Sequence, residues 1–288
     1  MSPEAPSVGS ADRSAADGVG PGPCGQDVRR PCRISVGMSI EPRVITIASP
    51  KGGVGKSTIA LHLAGALAAT LVDLDWEVAG VSNLWGFDPR RTRRGGLLEA
   101  LDGFPDARAP HRRVAPNRPA LVAGHKNMAH LDPERGVVAD ALLLWSGKWG
   151  GRYVVVDTHP GVGALRDGAI EAADLVVVPV HLAHNELEGL DDFLAEALHG
   201  YRVLVVPNRV RMLVPERVLV RRLIEITSGR AYLAEPIGDH GWLPRRRLRM
   251  TLTQTPGPGV AQARAAEQFR SLANRVEVIL NEQHALAA

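Results

Sequence analysis

Cysteine is almost absent from this chain of 288 residues. It occurs only twice, at Cys24 and Cys32, and both positions are near the N-terminus. Two cysteines so placed provide neither a disulfide framework nor the ligand spacing of a zinc site. The rest of the sequence has no cysteine to ligate a cluster, which disfavours an iron–sulfur protein.

Aromatic residues and long apolar runs are also scarce. Aromatics make up 4% of a chain that is 45% hydrophobic, so the core must consist mainly of Ala, Val, Leu and Ile. No apolar run approaches the roughly 20 residues that span a bilayer, and the polar N-terminus lacks the apolar segment of a secretory signal. The sequence therefore predicts a cytoplasmic protein with one large domain or two small ones.

Lysine is rare as well, although the chain is mildly basic, with a formal net charge of +3 and a pI of about 9.1. Thirty of the 34 basic residues are Arg, and the four lysines are Lys51, Lys56, Lys126 and Lys148. Two of the four lie within one short stretch, which indicates specific roles for Lys51 and Lys56. Because the net charge is small, any nucleic-acid affinity must come from local patches.

The hydrophobic pattern divides the chain into a tail and one domain. Residues 1–41 are rich in Gly, Pro, Ser, Ala and Asp and show no periodicity, which predicts a disordered tail. Residues 42–288 alternate apolar runs with helical patterns, as in a doubly wound α/β fold with a mostly parallel sheet. The predicted strands are 44–48, 71–75, 120–123, 153–157, 175–180 and 203–206. The predicted helices are 56–69, 136–145, 185–198, 215–227 and 260–281. Residues 86–117 give no assignment.

A glycine-rich segment follows the first predicted strand and begins the first predicted helix. It reads Lys51, Gly52, Gly53, Val54, Gly55, Lys56, Ser57 and Thr58. Glycines allow the backbone to wrap around phosphate oxygens, and the helix N-terminus directs N–H groups at the anion. In such a P-loop the lysine at the Lys56 position contacts the β- and γ-phosphates, and the hydroxyl at the Ser57 position binds Mg²⁺. The segment therefore predicts a site for ATP and Mg²⁺.

One feature of this P-loop is unusual, because Pro50 stands where the common pattern has Gly and Lys51 is an additional cation. In this respect the sequence resembles the ParA/MinD family of deviant Walker-A ATPases, whose signature is K-G-G-x-G-K-S/T. The resemblance covers most of residues 43–288. It implies a homodimer that encloses ATP, in which Lys51 reaches the nucleotide of the partner subunit. A cation supplied across the dimer would stabilise charge on the transferring phosphoryl group.

Acidic residues follow the strands that would flank the P-loop. The resemblance implies that Asp75 orients the attacking water, that Asp73 supports the magnesium side, and that Asp157 is the Walker B acid that faces Mg²⁺. Carboxylates at the ends of parallel strands face the ligand crevice. The sequence departs from the family pattern at two places. Trp76 and Glu77 replace Pro-Gln after Asp75, and His159 replaces the first Pro of D-T-P-P-G.

The base of the nucleotide has two predicted contacts. Asn208 ends a strand where family members carry an asparagine, whose amide can pair with the adenine edge. The loop near Pro236–Asp239 would pack against the other side of the base.

Arginine-rich segments are the candidate nucleic-acid surface. Arg245, Arg246, Arg247 and Arg249 form one cluster, and Arg217 and Arg221 share one face of a predicted helix. The resemblance to partition ATPases implies DNA binding without sequence preference, through phosphate contacts. The MinD branch of the family instead ends in a basic helix that lies on membranes. Residues 274–288 contain one Arg and two Glu, which is the wrong charge for that surface, so no membrane is expected.

The sequence thus favours a nucleoid-associated ATPase that partitions DNA and whose slow hydrolysis is stimulated by a ParB-like partner protein. Two alternatives remain at this point. One is an ATPase of the same family that positions a protein complex, and the other is a metabolic P-loop enzyme that transfers phosphate to, or activates, a small substrate.

Overall fold

A computed structural model of the chain describes residues 41–77, 80–88, 96–211, 217–243, 250–255, 257 and 259–286. The predicted tail, apart from Glu41, lies outside these residues, so its disorder stays a prediction.

The fold is built on one sheet of seven strands, in the order β3-β2-β4-β1-β5-β6-β7. The strands are β1 (Arg43–Ile47), β2 (Thr70–Leu74), β3 (Ala120–Val122), β4 (Tyr153–Thr158), β5 (Leu175–Val180), β6 (Val203–Pro207) and β7 (Tyr232–Leu233). Every ladder between these strands is parallel. The chain runs outward from β1 in both directions, which confirms the predicted doubly wound fold and sets the ligand crevice at the carboxyl ends of the central strands.

Helices connect the strands and cover both faces of the sheet. They are α1 (Lys56–Ala66), α2 (Val81–Trp85), α3 (Leu97–Asp102), α4 (Arg135–Trp149), α5 (Ala164–Ala172), α6 (His184–Glu196), α7 (Arg217–Thr227) and α8 (Val260–Leu286), with a 3₁₀ helix at Lys126–His130. The predicted helices near 56, 136, 185, 215 and 260 are confirmed within a few residues at each end. In the described part of the chain, no helix is both long and apolar enough to cross a membrane.

The core lies in layers on the two sides of the sheet. Alternate strand residues point to opposite faces: Ile45 and Ile47 pack with α1 and α8, whereas Val44 packs with the side that carries α4 and α5. On the same face of the sheet as α4 and α5, helices α6 and α7 pack against β5 and β6. Because both faces are covered, the central strands are continuous apolar runs, which is why they were predictable from the sequence.

Three short α-helices, the 3₁₀ helix and the two-residue strand β7 were not predicted. Helix α2 has five residues and α3 has six, which is too short for a helical period to be recognised. Helix α5 contains Gly168, whose low helix propensity hides the pattern. A Cβ added at Gly168 would lie 2.5 Å from the Cβ of Val138 on α4, and closer still to the Arg135 carbonyl oxygen. Glycine is therefore required where α4 and α5 approach closely.

This contact gives a prediction for stability. Gly168→Ala should lower the free energy of unfolding by about 1–3 kcal/mol, because the methyl group overpacks the α4–α5 contact. The matched control is Gly147→Ala on the exposed face of α4, where an added Cβ meets nothing within 4 Å. That change should stabilise the protein by roughly 0.5–1 kcal/mol. Urea unfolding measures both, and equal effects would contradict the packing explanation.

Candidate functional site

The P-loop has the backbone that an anion-binding turn needs. Gly53 and Gly55 have φ values of 78° and 97°, a left-handed region that other residues rarely adopt. Gly55 is the N-cap of α1, and no side chain caps this end of the helix. The first N–H groups of α1 therefore remain available as donors to phosphate oxygens, as the sequence predicted.

The Asn208 side chain is in direct contact with the P-loop. Its amide nitrogen donates a hydrogen bond of 2.7 Å to the Val54 carbonyl oxygen, and a Cβ on Gly55 would overlap the same amide. Asn208 therefore fixes the loop from the end of β6. Its predicted contact with adenine stays a prediction, because the amide nitrogen is engaged with the loop backbone.

The loop that contains Pro236 lies beside the same strand end. The Ile237 N–H donates to the Pro207 carbonyl oxygen at 2.9 Å, and the Gln268 amide on α8 donates to the Pro236 carbonyl oxygen at 3.2 Å. The structure thus brings Pro236 and Asn208 to one edge of the sheet. The predicted adenine pocket between them is consistent with this placement and remains to be tested.

Lys56 is buried within the loop that it follows. Its residue exposure is 6%, and its Nζ lies 3.4 Å from the Lys51 carbonyl oxygen. Burial lowers the pKa of Lys56, and the negative charges of Asp157, Asp75 and Glu77 oppose that shift. A buried ammonium group close to three carboxylates is placed to meet the phosphates that the P-loop backbone would hold.

Asp157 is the residue that best fits a metal site. It is the second-last residue of β4, in register with Ile47 on β1 and with Asp73 on β2. Its side chain is fully buried, and neither carboxylate oxygen has a hydrogen-bond partner of ordinary geometry among the described residues. Burial raises the pKa of Asp157 well above its usual range, and Asp73 raises it further, while Ser57 and Lys56 act in the opposite direction. A buried carboxylate of this kind is charged only beside a cation, which Mg²⁺ would supply.

Magnesium suits this arrangement better than a metal held by protein alone. Within the ranges described above, no group of three or more His, Cys, Asp or Glu is placed to hold an ion. Mg²⁺ usually takes one or two protein ligands, several waters and the phosphates of its substrate. Ser57 at the start of α1 and Asp157 near the end of β4 would supply two such ligands, as the sequence predicts.

Asp73 makes hydrogen bonds to the backbone of the segment that follows β2. Its Oδ1 accepts the Asp75 N–H at 3.1 Å, and its Oδ2 accepts the Ser82 N–H at 2.8 Å. Burial raises the pKa of Asp73 to about 7, against the lowering effect of the bonds from Ser82. These contacts indicate that Asp73 holds the turn between β2 and α2, and its support of the metal stays a prediction.

Asp75 lies just beyond the end of β2, with 7% of its surface exposed. Its Oδ1 accepts a hydrogen bond of 3.0 Å from the Glu77 N–H. The same oxygen lies 3.0 Å from the Nδ1 of His159. The His159 ring in turn stacks on Trp76, with ring centroids 3.8 Å apart. The two departures from the family pattern are therefore in direct contact with each other.

Lys51 points away from its own phosphate loop. Its Nζ donates to the Asn185 carbonyl oxygen at 2.7 Å and lies 3.7 Å from the Glu186 carboxylate, both in the first turn of α6. About a third of the side chain is exposed, 35% by area. This position at the surface is compatible with a contact to a second subunit, which the single chain does not test.

The predicted DNA-binding arginines are only partly described. Arg217 and Arg221 are exposed on α7, whereas Arg245, Arg246, Arg247 and Arg249 lie outside the described residues. The face of α7 is not uniformly basic, because Arg222 pairs with Asp191 at 2.9 Å and with Glu225 at 3.7 Å.

Several residues that shape the site were not predicted. Ser82, Asn185 and Glu186 act through hydrogen bonds or charge at the beginnings of helices α2 and α6. Ser82 is inside α2, whose N-cap is Gly80 without a capping side chain, so the sequence carries no helix-start signal there. For Asn185 and Glu186 the sequence offers no signal, since their contact with Lys51 joins segments more than 130 residues apart.

Comparison with known proteins agrees with this geometry. The sequence profile of the CobQ/CobB/MinD/ParA nucleotide-binding domain matches residues 45–239. The chromosome partitioning protein ParA of Myxococcus xanthus is 30% identical over 166 residues, which cover 54% of this chain and 57% of that protein. The chain thus aligns with little more than half the length of this relative.

Two further proteins extend the comparison. The chromosome-partitioning ATPase Soj of Thermus thermophilus is 31% identical over 211 residues, which cover 68% of this chain and 74% of that protein. The solved structure of a Cyanothece McdA variant with ATP superposes with a TM-score of 0.70 at 16% identity, covering 83% of this chain and 98% of the other. At that identity the superposition concerns the fold alone.

The site predicts the effect of removing one lysine. Lys56→Ala should weaken ATP binding by about two orders of magnitude or more, since removing one partner of a buried charge pair costs roughly 3–5 kcal/mol. Isothermal titration calorimetry with Mg-ATP measures the change. Lys148→Ala, an exposed lysine on α4, is the control and should bind as the wild type does. Near-normal affinity of Lys56→Ala would contradict the P-loop assignment.

Proposed function

Because the chain belongs to the CobQ/CobB/MinD/ParA nucleotide-binding family, we propose that it is a DNA-partitioning ATPase of the ParA type. ATP and Mg²⁺ would bind at the P-loop, and two subunits would enclose the nucleotides. The ATP-bound dimer would bind DNA without sequence preference in the cytoplasm, on the nucleoid. A ParB-like partner would stimulate a slow hydrolysis and release the dimer.

The observation that carries the proposal is the different placement of the two P-loop lysines. Lys56 is buried beside Asp157 and Asp75, where it would neutralise phosphates in its own subunit. The Lys51 side chain instead lies at the surface against the first turn of α6, and it would exchange this contact for one to a second nucleotide. A P-loop lysine whose ammonium group lies at the surface fits a dimer that shares nucleotides better than a P-loop that works alone.

Support for the DNA part of the proposal comes from charge and from the relatives. Arg217 and Arg221 are exposed on the same face of α7, one turn apart. The relatives in Myxococcus xanthus and Thermus thermophilus carry names of chromosome partitioning.

The decisive experiment measures DNA binding with ATP, with ADP and without nucleotide. We expect tight binding to unrelated duplexes with ATP, but not with ADP or without nucleotide. The affinity for DNA should fall as salt rises, with a log–log slope of roughly −0.9 per phosphate contact. Arg217→Ala/Arg221→Ala should flatten that slope and leave ATP binding intact, and Arg246→Ala/Arg247→Ala should do the same. Arg108→Ala/Arg264→Ala, also two exposed arginines, is the matched control. Equal binding in all three nucleotide states would refute the proposal.

Lys51→Ala tests the dimer separately from nucleotide binding. The variant should bind ATP in its own subunit but fail to dimerise or to hydrolyse it, since the cation in trans is missing. Sedimentation with a slowly hydrolysed ATP analogue measures the mass. Lys148→Ala should dimerise normally. A Lys51→Ala dimer as stable as the wild type would show that Lys51 is not the lysine that acts in trans.

A second function in the same family is favoured by one observation on α7. Val218 and Ile224 on α7 are 68% and 53% exposed, and Arg222 between them in sequence pairs with Asp191 on α6. Exposed apolar groups beside polar ones mark surfaces that bind protein. The chain would then be an ATPase that positions a protein complex. In the experiment above, this function predicts ATP-dependent dimers that do not bind DNA at any salt concentration.

A further inference from the structure

Two substitutions in the family motifs meet beside Asp75. Trp76 stands where the pattern has Pro after the second Asp, and His159 stands where it has Pro after D-T. In the structure the two rings stack at 3.8 Å with an angle of 21° between their planes. A histidine and a tryptophan from different loops thus form one unit next to the residue expected to orient water.

The sheet register explains why this unit forms. Leu74 on β2 pairs with Thr158 on β4, so the next residues, Asp75 and His159, emerge side by side at the carboxyl edge. Pro160 follows His159 and disfavours a helical backbone for it. The Thr158 hydroxyl also donates to the Ile47 carbonyl oxygen at 2.8 Å, which anchors the start of the His159 loop to β1.

The chemistry of the contact fixes its direction. A carboxylate only accepts hydrogen bonds, so the Nδ1 of His159 carries the hydrogen that is donated to Asp75 Oδ1 over 3.0 Å. The Glu77 N–H donates to the same oxygen. Two donors on Oδ1 fix the rotation of the carboxyl group and therefore also the direction of Oδ2.

The pair lies at the surface of the site rather than in the hydrophobic core. The His159 side chain is 21% exposed. Trp76 and His159 line one wall of a cavity of about 260 Å³ that Met128, Val162 and Arg166 also border. Removing the imidazole therefore opens no closed void in the core, and we expect the fold to tolerate its loss.

We propose that His159, held by stacking on Trp76, is a positioning residue that fixes the Asp75 carboxylate for ATP hydrolysis. The inference rests on the proposed ATPase function. A carboxylate that is already held in its working direction loses little rotational freedom as water attacks, which speeds the reaction without tighter substrate binding. The role thus concerns kcat and not the affinity for ATP.

The test compares two substitutions that differ in where they place an amide nitrogen. In His159→Asn the amide nitrogen occupies the place of Nδ1, and in His159→Gln it lies nearer the place of Nε2. His159→Ala and His159→Gln should lower kcat by about ten- to a hundredfold, as the loss of an orienting partner usually does. The KM for ATP should change less than about twofold. His159→Asn should recover most of the lost rate.

A histidine far from the site and a double mutant complete the design. His199→Ala, exposed after α6, should hydrolyse ATP as the wild type does. If His159 acts through Asp75, Asp75→Ala/His159→Ala should be no slower than Asp75→Ala alone. Additive losses would overturn the inference, and so would a His159→Ala enzyme with wild-type kcat or a His159→Asn enzyme no better than His159→Gln.

The reference rates separate this inference from the proposed function. If the wild type hydrolyses ATP and the His159 variants have the same kcat, the positioning role is overturned and the ATPase proposal is not. A wild type without any hydrolysis, alone, with DNA or with a partner protein, would overturn both. Thermal unfolding of each variant, which should match the wild type within a few degrees, shows that the losses are not caused by misfolding.

Discussion

The burial of opposite charges at one edge of the sheet is the constraint on which the site depends. Lys56, Asp73 and Asp157 are each at most 6% exposed, and removing an ion from water costs several kcal/mol even after the protein relaxes. Burial lowers the pKa of Lys56 and raises the pKa values of Asp73 and Asp157. All three groups are thus driven toward their neutral forms. The proposed phosphates and Mg²⁺ would favour their charged forms, which gives a physical reason for nucleotide binding here.

Several buried polar side chains at this edge of the sheet hold the backbone of the site in place by hydrogen bonds. Asn208 holds the P-loop through Val54, Asp73 holds the turn before α2, and Thr158 ties the end of β4 to β1. Each bond joins the end of a strand to another segment that borders the site. Because such bonds are buried, losing one partner leaves an unsatisfied group at a cost of about 1–3 kcal/mol. The loops of the site therefore have far less freedom than their glycine content suggests.

The fold and the phosphate loop were predictable because their signals are local. Continuous apolar runs revealed β1, β4, β5 and β6, and one short segment contains Gly55, Lys56 and Ser57 in the order that a P-loop requires. The role of Asp73 and the contact of His159 with Asp75 were not predictable in the same way. They depend on the register of β2 against β4 and on side-chain directions, and Asp75 and His159 are 84 residues apart. The same limit applies to Lys51, since nothing near it in sequence indicates its contact with α6.

The contact of Lys51 with α6 bears on whether the proposed dimer is physically reasonable. Lys51 cannot remain at Asn185 and Glu186 and also reach a second nucleotide, so dimerisation would have to break this contact. The ion pair to Glu186 spans 3.7 Å at a partly exposed position, and exposed ion pairs contribute only about 0.2–1 kcal/mol. The hydrogen bond to the Asn185 carbonyl oxygen can be replaced by one to water or to phosphate. A phosphate in a site closed to water is a far stronger partner for an ammonium group. Exchange of Lys51 from α6 to the partner's nucleotide would therefore be favourable in the proposed dimer, and ATP would make it so.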